Sequence, residues 1–319
     1  MLHLGTDEAG YGPNLGPLVV TVSVWETADD PDGDRGESVD LWTRLESAIT
    51  QLPERGPRLH VADSKQVYTP GRGLRELERS VLAILAQLGW RPGTLSELRD
   101  RLTGWTNGDR GCTAGWYTEV DVTLPVAAAP ESVSDACSLL QETLRSAQVR
   151  LASVHSDVVC ETRFNRLVDA AGSKGTVLAD TTLSLVTATG VISGGQRATI
   201  HCDKFGGRNR YVGELTKLAD GEFVRTIVES QAASRYEVGR CQFSFETKGE
   251  RHLPVAVASM VSKYVRELSM LAVNTYWRQH LPDLKPTKGY PQDAARYFAE
   301  IRETQITQGL PDDMVWRKR

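Results

Sequence analysis

Apolar and polar positions alternate between short β-type blocks and longer helical ones along the chain. Leu18-Val19-Val20-Thr21-Val22-Ser23-Val24-Trp25 is a nearly continuous apolar, β-branched run and predicts a buried strand. Met1–Asp7 precedes it across a glycine- and proline-rich turn, so the chain is expected to open on a hairpin. Residues 26–40 are acidic with glycine and proline, and read as a solvated loop. Leu74, Leu77, Val81, Leu82, Ile84, Leu85 and Leu88 recur at helical spacing. Arg91–Gly115 reads as irregular, Tyr117–Val126 as a strand and Ser132–Val149 as a helix. A short strand over 153–160 and one or two helices over 163–191 follow, then strands at Arg197–Asp203 and Cys241–Phe245. Leu253–Tyr276 predicts a long helix, and Gln292–Ile306 a last one. Strands mixed with helices predict an α/β class with a mixed sheet.

Composition narrows this little. Of 319 residues, 40% are hydrophobic and 24% charged, as in an ordinary folded protein. Five cysteines (Cys112, Cys137, Cys160, Cys202, Cys241) make no Cys-x-x-Cys pair, which argues for free thiols in a reducing, cytoplasmic setting. Neither a signal peptide nor an apolar run of membrane-spanning length is evident. The net charge is −4, but unevenly spread. Residues 1–150 hold 14 Lys and Arg against 22 Asp and Glu, a net of −8; the remainder holds 23 against 19, a net of +4. A basic second half is compatible with phosphate contacts, and equally with ordinary surface variation.

Candidate chemistry lies in carboxylates at element ends. Asp7 and Glu8 close the first strand and open a glycine turn. Hard divalent cations take oxygen ligands, and paired carboxylates suit them. Adjacent strand residues point to opposite faces, so one site takes both only where the strand twists or breaks, which Gly10 permits. A plain solvated turn is the competing reading. Asp203 closes the strand Arg197–Cys202, at the sheet edge where open α/β sheets bind ligands; a helix N-cap is the alternative. Glu267 lies in the long helix four residues after Lys263, and a surface ion pair is its alternative.

Five segments in order carry a resemblance. Asp7-Glu8-Ala9-Gly10-Tyr11-Gly12-Pro13, with Gly16-Pro17-Leu18-Val19-Val20 after it, resembles the opening of ribonuclease HII. Ala62-Asp63-Ser64-Lys65 is similar to that family's Asp-Ser-Lys motif. Cys202-Asp203-Lys204-Phe205-Gly206-Gly207, with Tyr211, is similar to its archaeal and eukaryotic branch. Val257-Ala258-Ser259-Met260-Val261-Ser262-Lys263-Tyr264-Val265-Arg266-Glu267 is similar to its Ala-Ser-Ile helix, and Lys288-Gly289-Tyr290 to its Lys-Gly-Tyr segment. Residues 26–57, about 90–150 and the tail after 292 match poorly.

The resemblance implies a ribonuclease H-like mixed sheet flanked by helices, with insertions and a C-terminal helical segment. It divides the chain into a catalytic domain over 1–275, with an insertion near 90–130, and a substrate-binding segment over 276–319. It implies a monomeric endonuclease acting on RNA–DNA hybrids or ribonucleotides within duplex DNA, leaving 5′-phosphate and 3′-hydroxyl ends. Asp7, Glu8, Asp203 and Glu267 would hold two Mg²⁺ or Mn²⁺ ions. Gly10, Tyr11, Gly12, Ser64, Lys65, Lys263 and Tyr290 would contact the substrate, with Arg266 near phosphate or the carboxylates and Tyr290 beside the ribose. Two departures stand out: Tyr11 where the family carries arginine, and Glu267 where it carries aspartate, which favours Mn²⁺ or weaker activity. An inactive nucleic-acid-binding module, or a related nuclease acting on DNA, are the alternatives. Trp90, Trp105, Trp116 and Tyr117 flank residues 106–111, read either as a base-stacking loop or as a hairpin with its own small core. His201 shares a face with Asp203 and is expected to be packed.

Overall fold

The computed structural model describes residues 1–28, 40–54, 56–69, 71–104, 112–219 and 221–318. The expected loop over 26–40 therefore lies mostly outside the described residues, as do Trp105 and residues 106–111.

In chain order the strands are β1 (Leu2–Ala9), β2 (Leu18–Thr27), β3 (Ile49–Thr50), β4 (Leu59–His60), β5 (Val149–Val159), β6 (Ala198–Asp203), β7 (Val224–Glu229), β8 (Ala233–Val238) and β9 (Cys241–Glu246). The helices are α1 (Leu41–Arg44), α2 (Ser64–Val67), α3 (Arg75–Leu85), α4 (Leu95–Thr103), α5 (Gly115–Thr118), α6 (Pro130–Ser146), α7 (Glu161–Ala171), α8 (Lys174–Ala188), α9 (Val212–Leu218), α10 (Leu253–His280), α11 (Pro291–Thr307) and α12 (Asp312–Val315). The main sheet has the order β5-β2-β1-β6-β9-β8-β7. Its β5, β2 and β1 pair antiparallel, β1, β6 and β9 parallel, and β7–β8 adds an antiparallel hairpin beside β9. A mixed sheet flanked by helices is the expected α/β architecture.

Side-chain alternation divides the core. Val20, Val22 and Val24 of β2 face one way, into a cluster with Phe164, Leu178, Leu183 and Val186 of α7 and α8. Val19 and Trp25 face the other way, with Ile84, Leu140 and Met260 of α3, α6 and α10. Thr21 and Ser23 lie between them and are buried, and α10 satisfies both: Ser262 Oγ donates to Thr21 Oγ1 at 2.7 Å, and Ser23 Oγ to the Pro254 carbonyl at 2.7 Å. The start of α10 presses on β1. A Cβ at Gly5 would meet Val255 N at 2.1 Å, so only glycine permits this approach.

Two expected elements differ. Arg91–Gly115 contains a real helix, α4, because Thr94 caps it by accepting from Glu97 N and Leu95, Leu98 and Leu102 are buried. Tyr117–Val126 is not a strand: α5 occupies its start, and only the bridge Thr94–Thr123 remains of the pairing. Trp116 and Tyr117 are buried against Tyr276 and Trp277, so their apolar rings serve a local core. Helix α10 runs through residue 275 to His280, and the segment after it folds back onto the glycine turn. The hairpin β7–β8 has no counterpart in the expected elements.

Candidate active site at the carboxyl ends of β1 and β6

Strands β1 and β6 are parallel, with Thr6 opposite Cys202, so Asp7 and Asp203 leave the sheet at the same edge. Asp7 faces α10: the Ser259 hydroxyl hydrogen-bonds its carboxylate, and Ser262 Oγ donates to its carbonyl at 3.1 Å. Burial raises the Asp7 carboxyl well above the usual range, and the charges of Glu8 and Asp203 raise it further. Glu8 is pushed up to about 7 by burial and then by Asp203, with Lys65 pulling the other way. Asp203 is raised by burial. A Gly249 N–H at 3.4 Å opposes that shift, the Glu250 charge adds to it, and Lys65 again opposes. Although Asp7 and Glu8 are consecutive strand residues, both feel Asp203.

Glu250 is the acid that the sequence reading passed over. It follows the end of β9, parallel neighbour of β6, in a short 3₁₀ turn over Gly249–Arg251. An acidic residue just beyond a third parallel strand, at the same sheet edge, was the available signal.

Glu267 is tied into an ion-pair cluster of its own. Tyr68 donates to it at 2.8 Å, Lys263 at 2.7 Å and Lys288 at 2.5 Å. Burial works against ionisation, but the two lysines hold its carboxyl down at about 2. Its charge is thus already neutralised, unlike the mutually repelling acids at the strand ends. Lys263 is committed to the same cluster and sits 4.8 Å from the Tyr68 ring centroid.

The Asp-Ser-Lys segment begins α2. Asp63 caps it by accepting from Lys65 N at 3.0 Å. Ser64 is buried and bonded to Ser259, the same serine that reaches Asp7. Lys65 is exposed and is the cation that acts on both Glu8 and Asp203.

The glycine turn is held from beneath. Gly10 has φ +93°, and a Cβ there would meet the Pro17 carbonyl oxygen at 2.5 Å. Gly12 has open space around it. Arg266, expected near phosphate or the carboxylates, is buried and donates to the carbonyls of Pro17, Leu15 and Lys288. Arg317 is buried too, and donates to Gly10, Tyr11 and Gly16. Tyr11 is partly exposed, with Lys174 Nζ 4.7 Å from its ring centroid. Tyr290 is 54% exposed, next to Gly289, whose carbonyl accepts from Asn14 N at 2.8 Å. Tyr11 feels the Glu8 charge and Lys65 those of Glu8 and Asp203; Gly12 and Tyr290 are exposed, while Ser64 and Lys263 are held by protein partners. His201 stacks on His252 at 3.6 Å, and burial lowers its pKa to about 3.

Among the described residues, no group of three or more His, Cys, Asp and Glu side chains is gathered as a ready-made metal cage. The donor chemistry of the acids nonetheless fits a hard divalent cation: all are oxygen donors, and their ionisation is opposed by burial and mutual repulsion with Lys65 as the opposing cation.

No family model and no curated protein matches the chain. Among solved structures it is similar to a chain of the PCNA:RNase HII complex from Archaeoglobus fulgidus, at 17% identity and a TM-score of 0.47, covering 100% of this chain and 95% of that one. It is similar to ribonuclease H2 from Pyrococcus horikoshii OT3, at 17% identity and a TM-score of 0.45, over 99% and 92% of the two chains. A third similar structure is Bst-RNase HIII in complex with Mn²⁺, at 15% identity and a TM-score of 0.40, covering 100% of this chain and 66% of that one.

Proposed function

We propose that the chain is a divalent-cation-dependent nuclease of the ribonuclease H type, cutting RNA joined to DNA. The observation that carries this reading is the convergence of Asp7, Glu8 and Asp203 at one sheet edge, where Glu8 and Asp203 raise the pKa of Asp7 and Asp203 raises that of Glu8. A protein gains no stability from holding such acids together, so a positively charged ligand is their physical justification.

Asp7, Glu8 and Asp203 would hold the cation, with Glu250 as the fourth acid in place of Glu267. Once bound, a divalent cation supplies Lewis-acid polarisation of a phosphodiester and charge stabilisation as the bond breaks. Lys65 offers a second positive charge to the same phosphate. Ser259 holds Asp7, and Ser64 ties α2 to that serine, so the acid and the lysine stay in register. Gly12 leaves room for a sugar–phosphate backbone to lie against the turn, and Tyr11 and Tyr290 present rings to a ribose or base.

The test is incubation with three substrates: duplex DNA bearing one ribonucleotide, an RNA–DNA hybrid, and plain duplex DNA, each with Mg²⁺, Mn²⁺ or chelator. Cation-dependent cutting confined to ribose-containing strands is expected, leaving 5′-phosphate and 3′-hydroxyl ends. Binding without cutting, or cutting of plain DNA, overturns the reading.

A further inference from the structure

The sheet face that carries Asp203 is polar; the turn Gly249–His252 lies over its Asp203 end, and a cavity opens beyond it toward Arg197 and Arg240. Registration places Thr199, His201 and Asp203 of β6 beside Gln242, Ser244 and Glu246 of β9. On β8 the same row continues with Glu237 beside Gln242 and Arg235 beside Ser244. The opposite face of these strands is apolar and buried, with Ile200, Cys202, Phe243 and Phe245 in the core. The polar face borders a cavity of about 750 Å³, lined by residues from β6, β8, β9 and the turn before α10.

Charge along this trough is asymmetric. Near the acids, Glu246 is buried and satisfied: it accepts from Ser244 at 2.6 Å and pairs with Arg251 and Arg235. Glu237 accepts from Arg225 at 2.7 Å. At the far end, Arg197 and Arg240 both line the cavity, one residue before the paired starts Ala198 and Cys241 of β6 and β9. Both are exposed, and neither guanidinium has a carboxylate partner among the described residues. Arg197 and Asp203 are six residue steps apart, about 20 Å of strand. From β1, covered by the start of α10, to β8 is three strand spacings, about 14 Å. That is room for one extended strand and not for a duplex. At the other end of the trough, the ring of His252, stacked on His201 and 24% exposed, offers a planar surface.

We propose that this trough binds single-stranded nucleic acid, seating one strand between the His252 ring and the paired guanidiniums of Arg197 and Arg240. A groove that joins unpaired cations with a stacking platform is the arrangement that tracks a single strand. The ligand class is a polyphosphodiester strand; a mononucleotide shares its phosphate chemistry but spans only part of the trough. The inference goes beyond the nuclease reading, and strand binding itself is measurable without cleavage.

The test uses the intact chain in chelator, with fluorescence anisotropy of a labelled twelve-residue oligothymidylate. Replacing both arginines (R197S with R240S) is expected to weaken binding at least fivefold at ~0.1 M salt. It should also reduce the slope of log K against log salt by about 1.4, two contacts at about 0.7 each for a single strand. R150S is the control: Arg150 lies on β5 at the far edge of the sheet, paired with Glu26, and its loss should leave binding unchanged. An unchanged salt slope in the double variant overturns the proposal, as does equal weakening by R150S. Thymidine monophosphate that competes as well as the oligomer, residue for residue, overturns it in favour of a nucleotide pocket. Arginine-dependent strand binding in a protein that cuts no ribose-containing substrate supports the trough and removes the nuclease reading, so the two fail separately.

Discussion

Arg317 donates a hydrogen bond of 2.7 Å to the carbonyl of Gly10, across 307 residues of sequence. It donates also to Gly16 and Tyr11, and its guanidinium lies 4.2 Å from the Phe164 ring centroid. Burial and the nearby Arg266 charge push its pKa down to about 9, so it remains a cation at neutral pH. The last residues of the chain are thus a structural part of the turn that follows Asp7 and Glu8.

Arg317→Ala leaves the buried Gly16 carbonyl and the half-buried carbonyls of Gly10 and Tyr11 without this donor. A loss of about 3 kcal/mol of stability is expected, the scale of stranding buried acceptors. Thermal denaturation checks it, and an unchanged Tm would show that water replaces the guanidinium freely. Arg317→Lys restores the charge but not the fork, and should recover only part of the loss.

Gly10 and Gly12 separate stability from substrate contact. Gly10→Ala combines a left-handed φ of +93° with a contact of 2.5 Å to the Pro17 oxygen, and should cost about 3 kcal/mol. Gly12→Ala meets nothing within 4 Å, so its Tm should match the parent. If the turn lies against a backbone, Gly12→Ala raises KM for the hybrid at unchanged Tm. An equal fall in Tm for both variants contradicts the distinction.

Acid clustering fixes the pH dependence of the cation-free protein. Glu8 titrates at about 7 in the fold against an ordinary 4.5, and Asp7 and Asp203 are also raised. The folded chain therefore binds more protons than the unfolded one between these values. That contribution is fully present below about 4.5 and is lost as pH rises through 7. Glu267 acts oppositely: held near 2, it contributes above 4.5 and its contribution disappears as pH falls toward 2. Melting in chelator should show Tm falling from pH 5 to pH 8. Added Mg²⁺ or Mn²⁺ should raise Tm more at pH 8 than at pH 5, because bound cation stabilises the ionised acids. A Tm in chelator that climbs over that interval would mean that the acids are not clustered in solution.

The legible part of this molecule was its local periodicity. The apolar run of β2, the helical spacing of α3 and the long α10 all carry strong one-dimensional signals, and each formed where expected. The strand-end positions of Asp7, Glu8 and Asp203 are legible because apolar strands lead up to them. What failed was tertiary partnership. Nothing local in Lys263 and Glu267 reveals that Lys288 and Tyr68 complete an ion-pair cluster around that glutamate. Nothing local to Arg266 reveals its carbonyl partners, which lie in distant loops. The β7–β8 hairpin was missed because β7 is largely exposed, with Ile227, Val228 and neighbouring polar residues giving no clean alternation.

Glu250 and Glu267 offer the sharpest discrimination. Glu250 adds to the repulsion felt by Asp203, whereas Glu267 is the shared partner of two lysines. Glu250→Gln should therefore raise Tm slightly in chelator at pH 8, diminish the Tm gain on adding Mn²⁺, and reduce cleavage at least about 100-fold. Glu267→Gln should lower Tm, since it strands Lys263 and Lys288 around Tyr68, yet keep the Mn²⁺-induced gain. The two Tm readouts do not require activity, so they hold whatever the substrate is. The reverse pattern, with cation response lost in Glu267→Gln and kept in Glu250→Gln, would return Glu267 to the metal set and require its lysines to release it when the cation binds.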